Sequence, residues 1–370
     1  MSRFARERRV FFFEEPVFED TNAPYLRAGV CSQSGVEVLT PVLPCGMSAQ
    51  ETTAASRQLL ASALTERKVQ DYVLWYYTPM ARGFAANLRA ELTIYDCMDE
   101  LCAFAGAPAA MRINEQQLFT EADLVFTGGA SLFECKRTQH PSVHLFPSSV
   151  DVEHFARARG PLEEPADQSS IPRPRLGYSG VIDERMDLNL LREVSNRRPD
   201  WQLVLLGPVV KIDPASLPKA ANIHYLGMKA YAELPFYLHG WDLAMLPFAR
   251  NESTRFISPT KTPEYLAAGL QVISTPIHDV VTPYGDLGLV SIANGVAEFV
   301  DSSELLLARP LSLDFRRSVD NFLSRSSWDK TWNDMNRLIE NSYTLKSFPA
   351  VSRPQAASAI QTRLKGDAHV

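Results

Sequence analysis

The sequence predicts an α/β protein made of two Rossmann-like, doubly wound domains that face each other across a cleft. Short apolar runs alternate with helix-period segments along most of its 370 residues, enough chain for two domains. Several of the runs lack polar alternation, as strands buried on both faces do. A Pro-rich stretch from Arg157 to Arg175 splits the alternation into two halves.

In the first half, strands are expected at Val10 to Phe13, Val36 to Val42, Tyr72 to Tyr77, Leu92 to Tyr95, Leu124 to Thr127 and Val143 to Phe146. Helical patterns lie between them, for example at Gln50 to Arg67 and Ile113 to Ala122. The dividing stretch holds Pro161, Pro165, Pro172 and Pro174 among polar residues, a linker composition that places a hinge near 160–174. In the second half, strands are expected at Arg175 to Ser179, Gln202 to Leu206, Ile223 to Leu226, Leu243 to Pro247, Val272 to Ser274 and Leu289 to Ile292. Helices are expected at Leu188 to Asn196, Ala230 to His239, Pro263 to Ala268 and Val296 to Leu307. From about Ser347 the periodicity ends, which reads as a loose tail. The aromatic runs Phe11 to Phe13 and Trp75 to Tyr77 read as core strands.

A net charge of -6 argues against a nucleic-acid binder, whose footprint is basic. No apolar run approaches the ~18 residues of a membrane span, and the apolar stretch after the basic start is too short for a signal peptide. The expected location is cytoplasmic, with the inner face of the membrane left open. Five cysteines without a C-x-x-C favour neither a disulfide framework nor zinc. His140 and His144 have helical metal spacing, but Pro141 between them disfavours a helix, so no metal site is expected.

Ligands of open α/β sheets bind beyond the carboxyl ends of the strands. Two stretches of the second half fall there with phosphate-binding chemistry. One is Gly177 to Arg185, where Gly177 and Gly180 let the backbone approach a ligand and Arg185 can bind phosphate in bidentate fashion. The other is Ser258 to Gly269, where Thr260 and Lys261 precede a short helix and Glu264 can accept from two ribose hydroxyls. Thr262 is expected to cap that helix, with Pro263 as its first residue. Each feature also has a purely structural use: the glycines as tight turns, Arg185 as a partner of Asp183 or Glu184, Lys261 as a solvated charge. In the first half, Asp96 and Asp99 follow a strand and fit an acceptor-side base, or equally a turn cap. Thr127 to Ser131 is either a second cleft loop or a close-packed turn.

Taken in order, the landmarks of the second half resemble the nucleotide-sugar domain of GT-B glycosyltransferases, in particular the retaining enzymes of family four (glycosyltransferase group 1). They are Pro199 to Gly207, Asn222 to Gly227, Tyr231 to Pro235, Asp242 to Pro247 and Glu264 to Gly269, flanked by Pro147 to Phe155 and Ser327 to Asp329. The resemblance implies that Glu264 binds the donor ribose and that Arg185, with Lys261, meets the diphosphate. Phe256 stands where the family has a second glutamate and Val181 where it has an arginine, so Arg255 or Glu252 becomes a candidate substitute. It implies domains at 1–160, with the first strand missing, and 175–326, a helix over 327–345 crossing back to the first domain, and a tail over 346–370.

The expected activity is metal-independent transfer of a sugar from a nucleoside-diphosphate-sugar to a saccharide or lipid-linked hydroxyl acceptor, in cell-surface polysaccharide or glycolipid synthesis. Asp96, Asp99 and Glu264 are the candidate catalytic groups. Gly180, Arg185, Arg255, Thr260, Lys261 and Glu264 are the candidate donor contacts. No cofactor is expected, no nucleic-acid partner, and peripheral membrane contact is left open. A nucleotide-sugar epimerase and a non-catalytic sugar-nucleotide-binding partner of a synthase are the alternatives.

Overall fold

The structure, a computed structural model, describes residues 1–347. The expected tail lies outside the described residues except for its first two, which end the last helix.

The first half runs β1 (Phe11–Phe13), β2 (Val17–Glu19), β3 (Tyr25–Val30), β4 (Glu37–Pro44), α1 (Ala49–Glu66), β5 (Val73–Tyr76), α2 (Arg82–Ala85), β6 (Leu92–Cys97), α3 (Ala109–Glu121), β7 (Leu124–Thr127), α4 (Ala130–Lys136) and β8 (Val143–Leu145). β5 to β8 form one parallel sheet in chain order. Side chains alternate across it: Leu92 and Ile94 pack with Phe4 and Ile339, while Tyr95 and Cys97 pack with Leu118 and Leu132. β1 and β2 pair in parallel with successive parts of one edge of β4, and β3 pairs with its other edge antiparallel. The first half therefore holds two sheets where the sequence led us to expect one. The edges of β1 and β5 face each other across a cavity of about 990 Å³. β2 and β3 escaped the sequence reading because Val17, Phe18, Tyr25 and Val30 are exposed, so no buried face marks them.

The second half runs α5 (Val152–Ala156), α6 (Ala166–Ser169), β9 (Arg175–Ser179), α7 (Leu188–Arg197), β10 (Gln202–Leu206), β11 (Ile223–Gly227), α8 (Leu234–His239), β12 (Leu243–Leu246), α9 (Lys261–Ala267), β13 (Val272–Ser274), α10 (His278–Val280), β14 (Ser291–Ile292), α11 (Val296–Ala308), α12 (Leu313–Leu323) and α13 (Trp328–Ser347). Its sheet is parallel throughout, in the order β11-β10-β9-β12-β13-β14. In the half's own strand numbering this is 3-2-1-4-5-6, the doubly wound order with its reversal between β9 and β12. α13 returns to the first half, where Trp332, Met335 and Ile339 pack against the sheet of β5 to β8 and Lys346 meets Asp123 at 2.9 Å. No helix among the described residues is long and apolar enough to cross a membrane.

Two local expectations are corrected. The Pro-rich stretch is a strap rather than a free linker. Gln168 is fully buried, donating to Tyr237 O and accepting from Trp241 Nε1, both at 2.9 Å. Glu164 accepts from Arg175 and Arg173, and Phe155, Ala158 and Ile171 join the second half's core. Gly177 is a packing glycine rather than a ligand glycine: a Cβ there would fall 1.9 Å from Trp241 Cδ2. Gly177→Ala must displace an indole whose Nε1 is held by Gln168. Overpacking of this kind typically costs ~1–3 kcal/mol, and we expect the upper end. A urea melt that moves by less than ~1 kcal/mol would contradict this packing.

Candidate donor cleft

The loop after β9 turns sharply because two glycines meet. Gly180 N donates to Leu206 O at 2.9 Å, and a Cβ on Gly207 would fall 1.9 Å from Gly180 O. Beyond it, Arg185 lies on Asp183 through Nε and Nη2, at 2.7–3.1 Å. The expected surface pairing of Arg185 is thus real, but it sits in the cleft. The guanidinium carbon is 5.5 Å from the Phe104 ring of the first half, and Lys211 Nζ is 5.7 Å from the same ring. Asp99 faces Arg185: burial raises the Asp99 pKa and the guanidinium partly offsets it. Glu184 has both carboxylate oxygens buried without a hydrogen-bond partner, while its backbone O accepts from Asn251.

α9 begins at Lys261, with Thr260 in the capping position and no side-chain cap bond. The expected start at Pro263 is corrected. Pro263 is the third residue of the helix, where a missing N–H costs no intrahelical bond. With only seven residues, α9 offers a weak dipole, so its charge at the cleft comes from Lys261. Lys261 Nζ is 2.8 Å from Glu264 Oε2. Burial raises the Glu264 pKa, and Lys261 and His154 oppose that. The His154 ring stacks on Tyr231 at 4.3 Å. Thr260 and Arg255 are exposed, and Arg255 lies over the Phe256 ring at 5.0 Å. Phe256 packs against the first half's core.

The two halves also touch at the loop after β7. Ser131 N donates to Asp279 Oδ1 at 3.0 Å, and a Cβ on Gly129 would fall 2.3 Å from Asp279 Oδ2 and 2.8 Å from Ser258 Cβ. Gly128 is packed against Met98 O. This loop is both a cleft loop and a close-packed turn. Asp96 is placed differently. It is 3% exposed and accepts from Trp75 Nε1 at 3.0 Å, and burial pushes its pKa up to about 7 against that bond and the Met1 amino group.

No protein-family model matches the chain. A Bacillus subtilis (strain 168) protein named as a teichuronic acid biosynthesis glycosyltransferase, TuaH, is 23% identical over 289 residues, which span 72% of this chain and 67% of that one. The sucrose-phosphate synthase of Thermosynechococcus elongatus superposes with a TM-score of 0.66 at 14% identity, over 93% of this chain and 91% of that one. The UDP-forming α,α-trehalose-phosphate synthase of Burkholderia xenovorans, in complex with glucose-6-phosphate, gives 0.64 at 12% identity over 90% and 93%. Anabaena HepE, in complex with UDP and glucose, gives 0.62 at 12% over 83% and 87%. The chain has the GT-B glycosyltransferase fold.

In this GT-B protein, sequence reasoning missed Phe104, Lys211 and Asp279, and it named Glu184 only as a partner for Arg185, a bond that its buried, unpaired carboxylate does not make. Asp279 alone carried a usable signal, an acidic residue one short turn beyond the strand at Val272 to Ser274. Among the described residues one trio has metal-ligand proximity, Glu100, Cys102 and Glu115. The Lys136 ammonium already sits on it, 2.7 Å from Glu100 and 3.0 Å from Glu115. His140 and His144 bond to Ala122 O and Ser142 Oγ.

Proposed function

We propose that this GT-B glycosyltransferase moves a sugar from a nucleoside-diphosphate-sugar to a hydroxyl acceptor in cell-surface polysaccharide assembly, with retention at the anomeric carbon. The observation that carries the reading is that the loop after β9 brings Arg185, and the first turn of α9 brings Lys261 and Glu264, to the cleft side of the second sheet, with Asp99 of the first half near Arg185. Glu264 would accept from the ribose hydroxyls. Arg185 and Lys261 would neutralise the leaving diphosphate, where negative charge develops, so the reaction would need no metal. The turn at Gly180 lets the phosphates lie close to backbone, and Thr260 and Arg255 form the exposed rim. Asp99 is the better placed acceptor-side group, since Asp96 is committed to Trp75. The relative named for teichuronic acid biosynthesis supports the polymer context, and the UDP and glucose bound by HepE support the donor class. No cofactor is proposed.

The test is thermal stabilisation by UDP, ADP and GDP in a chelator, comparing the wild type with Glu264→Ala. One nucleotide should raise the Tm of the wild type by mass action and fail to do so in the variant. A shift that survives in Glu264→Ala would move the ribose site elsewhere. No shift with any nucleotide would overturn the donor-site reading. Release of nucleoside diphosphate with a new glycoside product separates transfer from epimerisation and from binding alone.

A further inference from the structure

The loop after β6, from Met98 to Gly106, carries two groups that face the second half. Asp99 lies toward Arg185, and the Phe104 ring meets both Arg185 and Lys211. The position of this loop therefore sets one wall of the cleft. No apolar packing holds it: among the described residues, none from Met98 to Gly106 joins a hydrophobic core.

An ion cluster holds it instead. Lys136, the last residue of α4, is 3% exposed. Its Nζ lies 2.7 Å from Glu100 Oε2 of the loop and 3.0 Å from Glu115 Oε1 of α3. Tyr95 in β6 donates to the same Glu115 oxygen at 2.9 Å, and the Phe119 ring lies 5.5 Å from the ammonium. Lys136, Glu115 and Tyr95 belong to helices and a strand, so they form the fixed base, and Glu100 is the clip of the loop. Burial acts to lower the Lys136 pKa, but the two carboxylates outweigh it and raise it, which keeps the ammonium charged. α4 is itself tied at its other end, where Ser131 N donates to Asp279 of the second half.

A buried ion cluster is weak support for stability, because apolar side chains of the same volume often serve as well. Its use here follows from its place. The ammonium has three donors, and they meet carboxylates from two separate elements in one arrangement. Glu100 is the chain neighbour of Asp99, so release of the clip moves Asp99 away from Arg185.

We propose that Lys136 is a positioning residue for sugar transfer: through Glu100 it fixes the loop that presents Asp99 and Phe104 to the cleft. The proposal rests on the reading of Asp99 as the acceptor-side group. A misplacement of about 1 Å at such a group can cost about a hundredfold in rate.

Lys136→Met would strand two buried carboxylates and endanger the fold. The test is therefore Glu100→Ala, which leaves Lys136 paired with Glu115. Amide exchange from Met98 to Phe104 in the ligand-free protein should quicken about tenfold, with the urea melt and the Kd for UDP unchanged. In transfer from UDP-glucose to p-nitrophenyl glucoside, kcat/KM for the acceptor should fall about a hundredfold. Glu100→Gln can still accept from Lys136 Nζ and should recover much of that loss. Asp99→Asn should lose transfer while its loop exchanges as in the wild type. Wild-type exchange in Glu100→Ala would overturn the proposal, whatever the activity. So would a transfer loss matched by an equal loss of UDP binding, because the donor side would then have failed. Faster exchange in Glu100→Ala, with wild-type transfer in both it and Asp99→Asn, would overturn the reading of Asp99 and leave the anchor standing.

Discussion

Arg185→Ala is expected to lower kcat/KM for sugar transfer by about two to three orders of magnitude, the usual loss when one preorganised donor to a developing charge is removed. Asp183 holds the guanidinium through Nε and Nη2, and the Phe104 ring packs near it. The Nη1 edge is the one left to meet a phosphate oxygen. Because Asp183 fixes the orientation beforehand, little side-chain entropy remains to be lost when the diphosphate arrives. Arg185→Lys keeps the charge but loses this fixed fork, so it should retain more activity, at roughly a tenfold loss. Steady-state release of nucleoside diphosphate measures both variants, with an unchanged urea melt as the control for folding. If Arg185→Ala stays within a few-fold of wild type, the leaving-group charge is met by Lys261 or by other residues.

The second half of the molecule was legible because its strands are buried on both faces. Gln202 to Leu206 and Leu243 to Leu246 are buried at every position, so Leu203 to Leu206 and Leu243 to Leu246 read as unbroken apolar runs. The order of landmarks from Gly177 to Gly269 located the candidate donor loops for the same reason. What was not legible depends on three-dimensional contact. Composition marked Arg157 to Arg175 as a linker, since nothing local shows that Gln168 will be buried under Trp241. The pairing of Ser131 with Asp279 spans 148 residues and has no sequence signature. Nor does sequence reveal that Glu184 has a buried carboxylate with no partner. Phe256 shows the limit of reading by resemblance: its substitution for a glutamate looked like a lost sugar contact, yet the ring is used to pack the second half onto the first.

Asp96 and Asp99 both follow from the same strand-end argument, and the structure separates them by environment. Asp96→Asn should leave transfer within a few-fold of wild type while changing how stability depends on pH. Burial raises the Asp96 pKa to about 7 from the 3.8 of a free carboxyl, opposed by the Trp75 hydrogen bond and the Met1 amino group. The folded state therefore holds this proton more tightly than the unfolded state. The stability it contributes is present below about pH 4 and is lost as pH rises toward 7, where a buried carboxylate must ionise. Asparagine has the same shape, can still accept from Trp75 Nε1, and does not titrate. Relative to wild type, Asp96→Asn should gain about 2–3 kcal/mol between pH 5 and pH 8. Chemical melts at the two pH values measure this difference. A constant gap would mean that Asp96 is already ionised in the folded state at pH 5, so that burial does not raise its pKa. A loss of transfer by about two orders of magnitude or more, with the stability pattern unchanged, would instead return Asp96 to the role of acceptor-side base. Asp99→Asn is the companion measurement, because Asp99 faces Arg185 and is expected to carry the larger loss of activity.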